Sequence, residues 1–484
     1  MRIGAPDASL TGCAGVAALA EADRVLALTV ALDRYVPAFQ QRDRGLSAGQ
    51  VLTALASCQL TGGDHLVALD RRRADAAGQE LEPVPTPAST TAAGLARRFG
   101  PDQLAGIEAG IAAVNAAVLD RLGQVRASAL RRQVTIDVDA TDVEVCGPGK
   151  QGCAYSYLGQ RAYRAHIAVW AELGVPVAAD LLAGDEDPRS GVVELIERVG
   201  RLLPAGIGQV ALRMDTGYFA ADAALAAQRL GMVFAIGVKR NPAVWRAAMA
   251  APAHAWIPVI GMPDTEVTVI GYAPAGRPAQ IACLARRTRI PAGQVSTDPR
   301  ARKRRTIPKD QLALALEGRI DHVYGYSFIL TNQPIPPAAD PDQPADGDGD
   351  RDGDGDGDGD GDDRAEALAE AEYWYRHRTD IEALNKDSKH GAALRHLPSG
   401  DKAVNQVWMW AALLACALSA WIQELTGIDR GNGRGRRTIR RLHHELINIP
   451  ARIIHPGRTT TLRLPPGANL LTVVLRRLQA LPSG

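Results

Sequence analysis

The chain has 484 residues and an apolar fraction of 46%, too long for one ordinary hydrophobic core and ample for globular folding, so two to four domains are expected. Its formal net charge of +1 hides an uneven distribution: the stretch 346–363 holds ten Asp against one Arg, a local charge of −9 that leaves +10 for everything else. No charged head followed by an apolar core opens the chain, so no secretion signal is read, and the six Cys (Cys13, Cys58, Cys146, Cys153, Cys283, Cys416) contain no CxxC pair or matched zinc set and read as reduced, mostly structural thiols.

Residues 1–130 are Ala- and Leu-rich with helical periodicity, as in "PDQLAGIEAGIAAVNAAVLDRLG". A helical N-terminal domain is expected, serving packing, dimerisation or contact with DNA. Within it Ser89, Thr90 or Thr91 offers a helix cap ahead of Arg97 and Arg98. From Gln133 the pattern changes to period two in "QVTIDVDATDVEV", a strand that Asp139 is expected to close. Two apolar runs, "AHIAVWA" and "VPVAADLLA", follow around a tight turn at Glu172 to Gly174, and the three strands together predict an antiparallel meander. An amphipathic helix, a buried strand ending at Asp215, a helix closed by Gly231 and the strand "MVFAIGV" complete a βββαβαβ order. The fold class is therefore α/β, with a core beginning at residues 131–241.

After Pro242 short strand-like runs ("EVTVIGYA", "QIACLARRTR", "YGYSFILTN") make a β-rich insertion over 242–345, interrupted by the basic run Arg300 to Arg305. The Asp-Gly tract 346–363 cannot bury apolar surface and reads as a disordered linker; it lacks the ligand spacing of a calcium loop. A helix starting near Arg364 opens a second core segment, 364–425. In "YWYRHRTDIEALNKDSKHG" the residues Tyr375, Arg378, Glu382 and Lys389 lie at offsets that put them within an arc of about 60° on one helix. Val407 to Ile422 is an uncharged run that would span about 24 Å as a helix against roughly 30 Å of hydrocarbon, so it predicts a buried core helix and no membrane span. From Arg434 onward there are ten Arg, no Lys and one Glu, so the region 426–484 reads as an Arg-rich surface facing an anion such as nucleic acid.

Two acids stand out by position: Asp139 and Asp215, each read as ending a strand, with those strands neighbours in a βββαβαβ sheet. Glu382, on a helix packing back on the sheet, can supply a third carboxylate. Three carboxylates this close repel unless cations neutralise them, and hard divalent ions with oxygen ligands, Mg²⁺ or Mn²⁺, meet that need. Asp137 lies two residues before Asp139 and therefore on the same strand face, so direction alone does not separate the two.

These residues resemble the bacterial insertion-sequence transposases of the DDE class, and more narrowly the branch with the signature Tyr-x2-Arg-x3-Glu-x6-Lys, met here by Tyr375, Arg378, Glu382 and Lys389 with every spacing intact. "DVDAT" and "RMDTGYF" stand in the expected order, and the resemblance covers roughly 130 to 425. It implies a ribonuclease H-like core and catalysis by Asp139, Asp215 and Glu382 holding two divalent ions, Mg²⁺ or alternatively Mn²⁺. It also implies cut-and-paste transposition by phosphodiester hydrolysis and strand transfer. Asp139 is preferred to Asp137 as ligand because it precedes Ala140 and Thr141, as in the family; Asp137 and Thr141 then orient the ligand. By the same resemblance Tyr375, Arg378 and Lys389 contact DNA phosphates near the cut; by their charge alone, Arg302, Arg304 and Arg305 of the basic run and Arg436 and Arg437 of the C-terminal region are expected to be further DNA contacts. The implied partners are double-stranded DNA, as inverted-repeat ends and target, and a second copy of the chain in a homodimeric synaptic complex. A cytoplasmic, nucleoid-associated protein is expected. Trp245 and Trp256 are candidates for an aromatic wedge at a hairpin end, with core packing the favoured role. The competing readings are a ribonuclease H-like nuclease and a domesticated, catalytically idle DNA-binding protein; retention of all three acids argues against the latter.

Overall fold

The Ala/Leu-rich start of the chain folds into helices whose apolar faces bury one another, among them Val16–Leu26, Leu28–Tyr35, Ala48–Leu60 and Pro101–Arg121. The computed structural model describes residues 1–39, 45–147, 149–278, 280–336, 359–428, 435–467 and 469–484. The Ala48–Leu60 helix begins with a reciprocal cap: Gln50 N–H donates to Ser47 Oγ at 3.2 Å, and Ser47 N–H donates to Gln50 Oε1 at 3.0 Å. The helix Ser89–Ala96 does not use the cap expected of Ser89. Its N-cap is Ala88, and the Ser89 hydroxyl and N–H both donate to Asp70 instead.

The chain divides into two compact units, one made of Met1–Val210 with Asp380–Gly484 and the other of Ala211–Thr379. Neither boundary was legible as a change in composition. The first unit contains the expected meander. Gln133–Glu144 runs antiparallel to Arg161–Trp170, which also pairs with Val175–Ala183, and Gly174 makes the reversal at φ +65°. Asp139, opposite Ile167, does not close its strand, which continues five residues to Glu144 because the partner strand extends equally far. What ends at Asp139 is burial: positions 134–138 are buried and 139–142 are half-exposed. A second, three-stranded sheet joins Leu10–Thr11 to Ala451–Ile454 and Thr461–Arg463.

Around these elements lies the helix Lys402–Thr426, which packs against Ala48–Leu60 and Val175–Ala183. It is longer than its uncharged run, and its 25 residues and apolar composition would suffice to cross a membrane, yet 89% of its apolar window is buried inside the protein. The buried-helix reading therefore stands on burial and not on length. Its large rings have their polar atoms satisfied: Trp408 Nε1 donates to Ala393 O at 3.0 Å, and Trp421 Nε1 donates to Asn115 Oδ1 at 2.9 Å. The thiols are free, with Cys13, Cys58, Cys283 and Cys416 buried.

In the second unit Gln209–Met214 and Val233–Gly237 run parallel, joined through the helix Ala221–Arg229. The β-rich insertion continues this sheet: His322–Thr331 pairs antiparallel with Val233–Gly237, then Ala282–Pro291, Thr265–Ile270 and Ile257–Pro258 follow. The helix Gly359–Arg376 lays Leu368, Ala371, Trp374 and Tyr375 onto a core of Ala235, Val259, Val267, Leu284 and Ile329. That helix does not run on as the sequence predicts. It gives way to a 3₁₀ turn, His377–Thr379, and a new helix, Asp380–His390, starts at Asp380, so the four-residue stripe is split between two helices. The Asp-Gly linker lies almost wholly outside the described residues.

Candidate active site

In the first unit the helix Asp380–His390 is fastened to the Gln133–Glu144 strand by two polar side chains on one face. Asn385, itself buried, donates from Nδ2 to Asp139 Oδ2 at 2.7 Å. One turn later Lys389 donates from Nζ to Thr141 Oγ1 at 2.5 Å and to Asp142 O at 2.7 Å. Burial pulls the Lys389 ammonium below its ordinary pKa, against the opposing pull of Asp142 and Asp139. Asp142 is itself paired with Arg164 at 2.7 Å. Glu382 sits in the first turn of the same helix, exposed, where a carboxylate is favoured by the unpaired backbone N–H groups. Asp137 is fully buried two residues before the half-exposed Asp139.

In the second unit Asp215 directly follows its strand, as read from the sequence. It caps the 3₁₀ turn Thr216–Tyr218, its Oδ1 accepting from Gly217 N–H at 2.8 Å. Tyr375 reaches the same strand end and donates its hydroxyl to Met214 O at 3.2 Å. Burial pushes the phenol up to about 12; Asp215 adds to the rise, while Arg378 and Arg286 oppose it. Gly237 makes room for this ring, since a Cβ there would lie 2.7 Å from the Tyr375 hydroxyl and 2.8 Å from Thr216 N. Behind Tyr375 the fully buried Glu372 accepts from Arg286 at 2.8 Å, and Arg376 lies 3.5 Å from its other oxygen. Arg286 is also held by Ser327 Oγ at 3.0 Å.

The structure thus gathers Asp139, Thr141, Lys389 and the helix of Glu382 in one unit, and Asp215, Tyr375 and Arg378 in the other. Among the described residues no group of three or more His, Cys, Asp or Glu is gathered closely enough to hold a metal ion. The remaining basic residues differ in availability. Arg302 and Arg305 are exposed, whereas Arg304 donates to Ser296 O and Thr297 O. Arg436 is paired with Glu424 at 2.7 Å and Arg437 with Glu445 at 2.9 Å, so a phosphate approaching either competes with a carboxylate. Trp256 is buried under the Arg287 guanidinium, 4.1 Å from its ring centre, and Trp245 packs edge-on against Tyr326 and Phe328. Both serve packing. Sequence reasoning missed Asn385, Arg286 and Glu372; the Glu372 and Arg376 pair at i,i+4 was a readable signal, while Asn385 and Arg286 depend on partners distant in sequence.

The family model described as "Transposase DDE domain" matches residues 131–418, and the one described as "Transposase DDE domain group 1" matches residues 364–483. No curated protein matches the chain. Among solved structures the chain is similar to a piggyBac transposase in a synaptic complex with hairpin DNA, at 8% identity and a TM-score of 0.38, over 89% of this chain and 79% of that one. The first family match spans more than half of the chain and takes in Asp139, Asp215 and Glu382 together with the residues that fasten their elements, and on that ground the chain belongs to the transposase DDE domain family.

Proposed function

We propose that the protein is a cut-and-paste transposase of an insertion sequence, with a ribonuclease H-like core, acting on double-stranded DNA in the cytoplasm at the nucleoid as a homodimer on paired ends. One observation carries most of this reading: the helix bearing Glu382 is docked on the strand bearing Asp139 through the Asn385–Asp139 and Lys389–Thr141 hydrogen bonds. Asp139, Asp215 and Glu382 are the proposed holders of two divalent ions, Mg²⁺ or Mn²⁺. The donor set fits such ions in kind, being carboxylate oxygen throughout. Bound ions of this type supply Lewis acidity that activates water and neutralises charge at a phosphodiester. The chain's own residues do the rest. Asn385 fixes the rotation of the Asp139 carboxylate, while the Lys389 ammonium and the Arg378 guanidinium offer charge-assisted hydrogen bonds to phosphate oxygens. Of the further basic residues, Arg302 and Arg305 stand open to DNA.

A supercoiled plasmid carrying the ends of the element tests the reading. Asp139→Asn, Asp215→Asn and Glu382→Gln are each expected to abolish Mg²⁺-dependent nicking while gel-shift binding survives, and Asp137→Asn only to reduce nicking. Nicking that persists in all three variants overturns the assignment. A wild-type protein that binds but never cuts is a domesticated binder, and one that cuts without joining ends to target is a nuclease.

A further inference from the structure

The hairpin that joins Ala154–Tyr155 to Arg161–Trp170 turns through Ser156, Tyr157, Leu158 and Gly159. Gly159 N–H donates to Ser156 O at 2.8 Å and Ser156 N–H donates to Gln160 O at 2.8 Å, which makes Tyr157 and Leu158 the two central residues of a closed β-turn. Gly159 takes the left-handed φ of +77° that the reversal requires. Small or polar residues dominate the central positions of such turns. Here they are a tyrosine 79% exposed and a leucine 57% exposed, with Tyr155 beside them at 66%. Side chains this open add nothing to the core, so the local rule is broken without a gain in packing.

Register ties this tip to the candidate active site. Asp139 lies opposite Ile167, and stepping by twos along the same face of that strand leads through Ala165 and Tyr163 to Arg161, which stands opposite Tyr155. The Arg161 guanidinium lies 5.8 Å from the Tyr155 ring centre. At about 3.4 Å per residue this pair is roughly 20 Å from the level of Asp139, on the face where Asn385 and Lys389 dock, and the turn lies a little beyond it. From Val145 to Ala171 the chain carries Lys150, Arg161 and Arg164 and no acidic residue, a charge that suits a polyanion. A second copy of the chain is a poor fit, because the three exposed side chains offer roughly 400 to 500 Å² between them against about 800 Å² per partner in a stable interface. We propose that the tip of this hairpin is a wedge that enters a base step of duplex DNA, with Leu158 and the Tyr157 ring replacing a stacked neighbour about six to eight base pairs from the phosphate that is cut. The inference rests on the reading that the protein acts on DNA. It gives Tyr157 and Leu158 the task of bending the duplex, apart from the carboxylates, from the phosphate-binding cations and from Trp245 and Trp256 of the other unit.

The test uses the full chain carrying Asp139→Asn, in EDTA, so that binding and bending are read without cleavage. The probes are duplexes carrying one end of the element and its flank, each with a single 2-aminopurine, a base that brightens when unstacked, placed in turn at every position within about ten base pairs of the cut. Fluorescence is expected to rise about six to eight base pairs from the cut, and Tyr157→Ser with Leu158→Ser to abolish that rise and lower affinity by about tenfold. Tyr157→Phe keeps the rise, because the ring and not the hydroxyl enters the stack. Val125→Ser, an exposed apolar residue elsewhere in the same unit, serves as the comparison and leaves the signal unchanged. A rise that survives the double Ser variant overturns the wedge, as does a parent that shows a rise only at the pairs next to the cut or none at all. An equal loss in Val125→Ser assigns the effect to apolar surface in general and overturns it too. If the parent sediments as a dimer without DNA and the double Ser variant as a monomer, the tip is a contact between copies and the DNA assignment falls. If the double variant does not fold, Tyr157→Ala alone carries the same comparison. Asp139-dependent nicking beside a silent 2-aminopurine scan removes only the wedge; a chain that unstacks the duplex and never nicks removes only the catalytic reading; and a chain that does not bind the end-bearing duplex removes both.

Discussion

At the scale of single residues, Asn385 is the position whose chemistry the sequence conceals. Three residues after Glu382 it looks like another polar surface residue of a charged helix, and only the docking of that helix turns it onto Asp139. Replacing Asn385 by Leu removes the donor that fixes Asp139, and groups that orient a metal ligand are typically worth 10- to 100-fold. Nicking is expected to fall by about that factor, with the Mg²⁺ concentration for half-maximal rate rising and end binding within twofold of wild type; an unchanged metal requirement argues for a purely structural Asn385. Gly237 is the second such residue. Gly237→Ala puts a methyl group within 2.8 Å of Thr216 N and of the Tyr375 hydroxyl, and is expected to cost about 2 kcal/mol in urea unfolding. Tyr375→Phe in the same chain removes one of the three close contacts, the other two being Thr216 N and Cγ2, and recovers part of the loss, so the double mutant is more stable than the sum of the single changes predicts. Of the strand ends read from the sequence, that of Asp215 holds, with Gly217 beside it as a local signal, whereas that of Asp139 does not, since its strand runs on to Glu144. Asn385 and Arg286 were not legible, because each gains its meaning from a partner on another element.

At the scale of elements, periodicity was read correctly wherever one face of a strand or helix is buried, as in the meander and the insertion strands. It misled where a regular period was extrapolated across a break. The spacing of Tyr375, Arg378, Glu382 and Lys389 is compatible with one helix, yet His377–Thr379 winds tighter, and a helix face computed across it has no geometric meaning. Glu382 and Lys389 still share a face, since both lie on Asp380–His390. The Lys402–Thr426 helix shows the reverse case, where the apolar run was recognised but its flanks were not. Its ring hydrogen bonds give a measurable consequence. Trp421→Phe leaves Asn115 Oδ1 buried without its donor, and the expected loss is about 1 to 3 kcal/mol, compared with less for Trp421→Phe made together with Asn115→Leu. Equal losses in the two chains would show that ring volume, not the hydrogen bond, is what the position supplies.

For the molecule as a whole, two buried groups contribute to the pH dependence of stability in opposite senses. Burial raises Glu108 to about 7, despite Arg198 and the Ala179 N–H, and lowers His166 to about 4 despite Asp180. Glu108 contributes its full stability below the unfolded value and loses it as pH rises from 4.5 towards 7. His166 contributes fully above 6.5 and loses it as pH falls towards 4. Between about 4.5 and 6.5 the two slopes oppose, so these two contributions largely cancel in the wild type. Glu108→Gln removes one slope and exposes the other: its unfolding free energy in urea titrations is expected to fall on acidification from about pH 6.5 to 4, by up to about 3 kcal/mol. A variant as flat as wild type over that range would mean that His166 is already charged in the folded protein.

The pairing of Leu10–Thr11 with Ala451–Ile454 sets a schedule for the making of the protein. A ribosome adding roughly 5 to 20 residues per second needs on the order of 20 to 90 seconds to pass from Leu10 to its partner Arg452. In that interval Ala211–Thr379 emerges entire and can fold, while the segment ahead of it waits for Asp380–Gly484. The strand of Asp139 is translated early, but the helix that brings Asn385 and Lys389 to it comes nearly 250 residues later. A nascent chain therefore cannot dock that helix on Asp139 until most of it has been translated, and a messenger cut short before that point yields a chain without it.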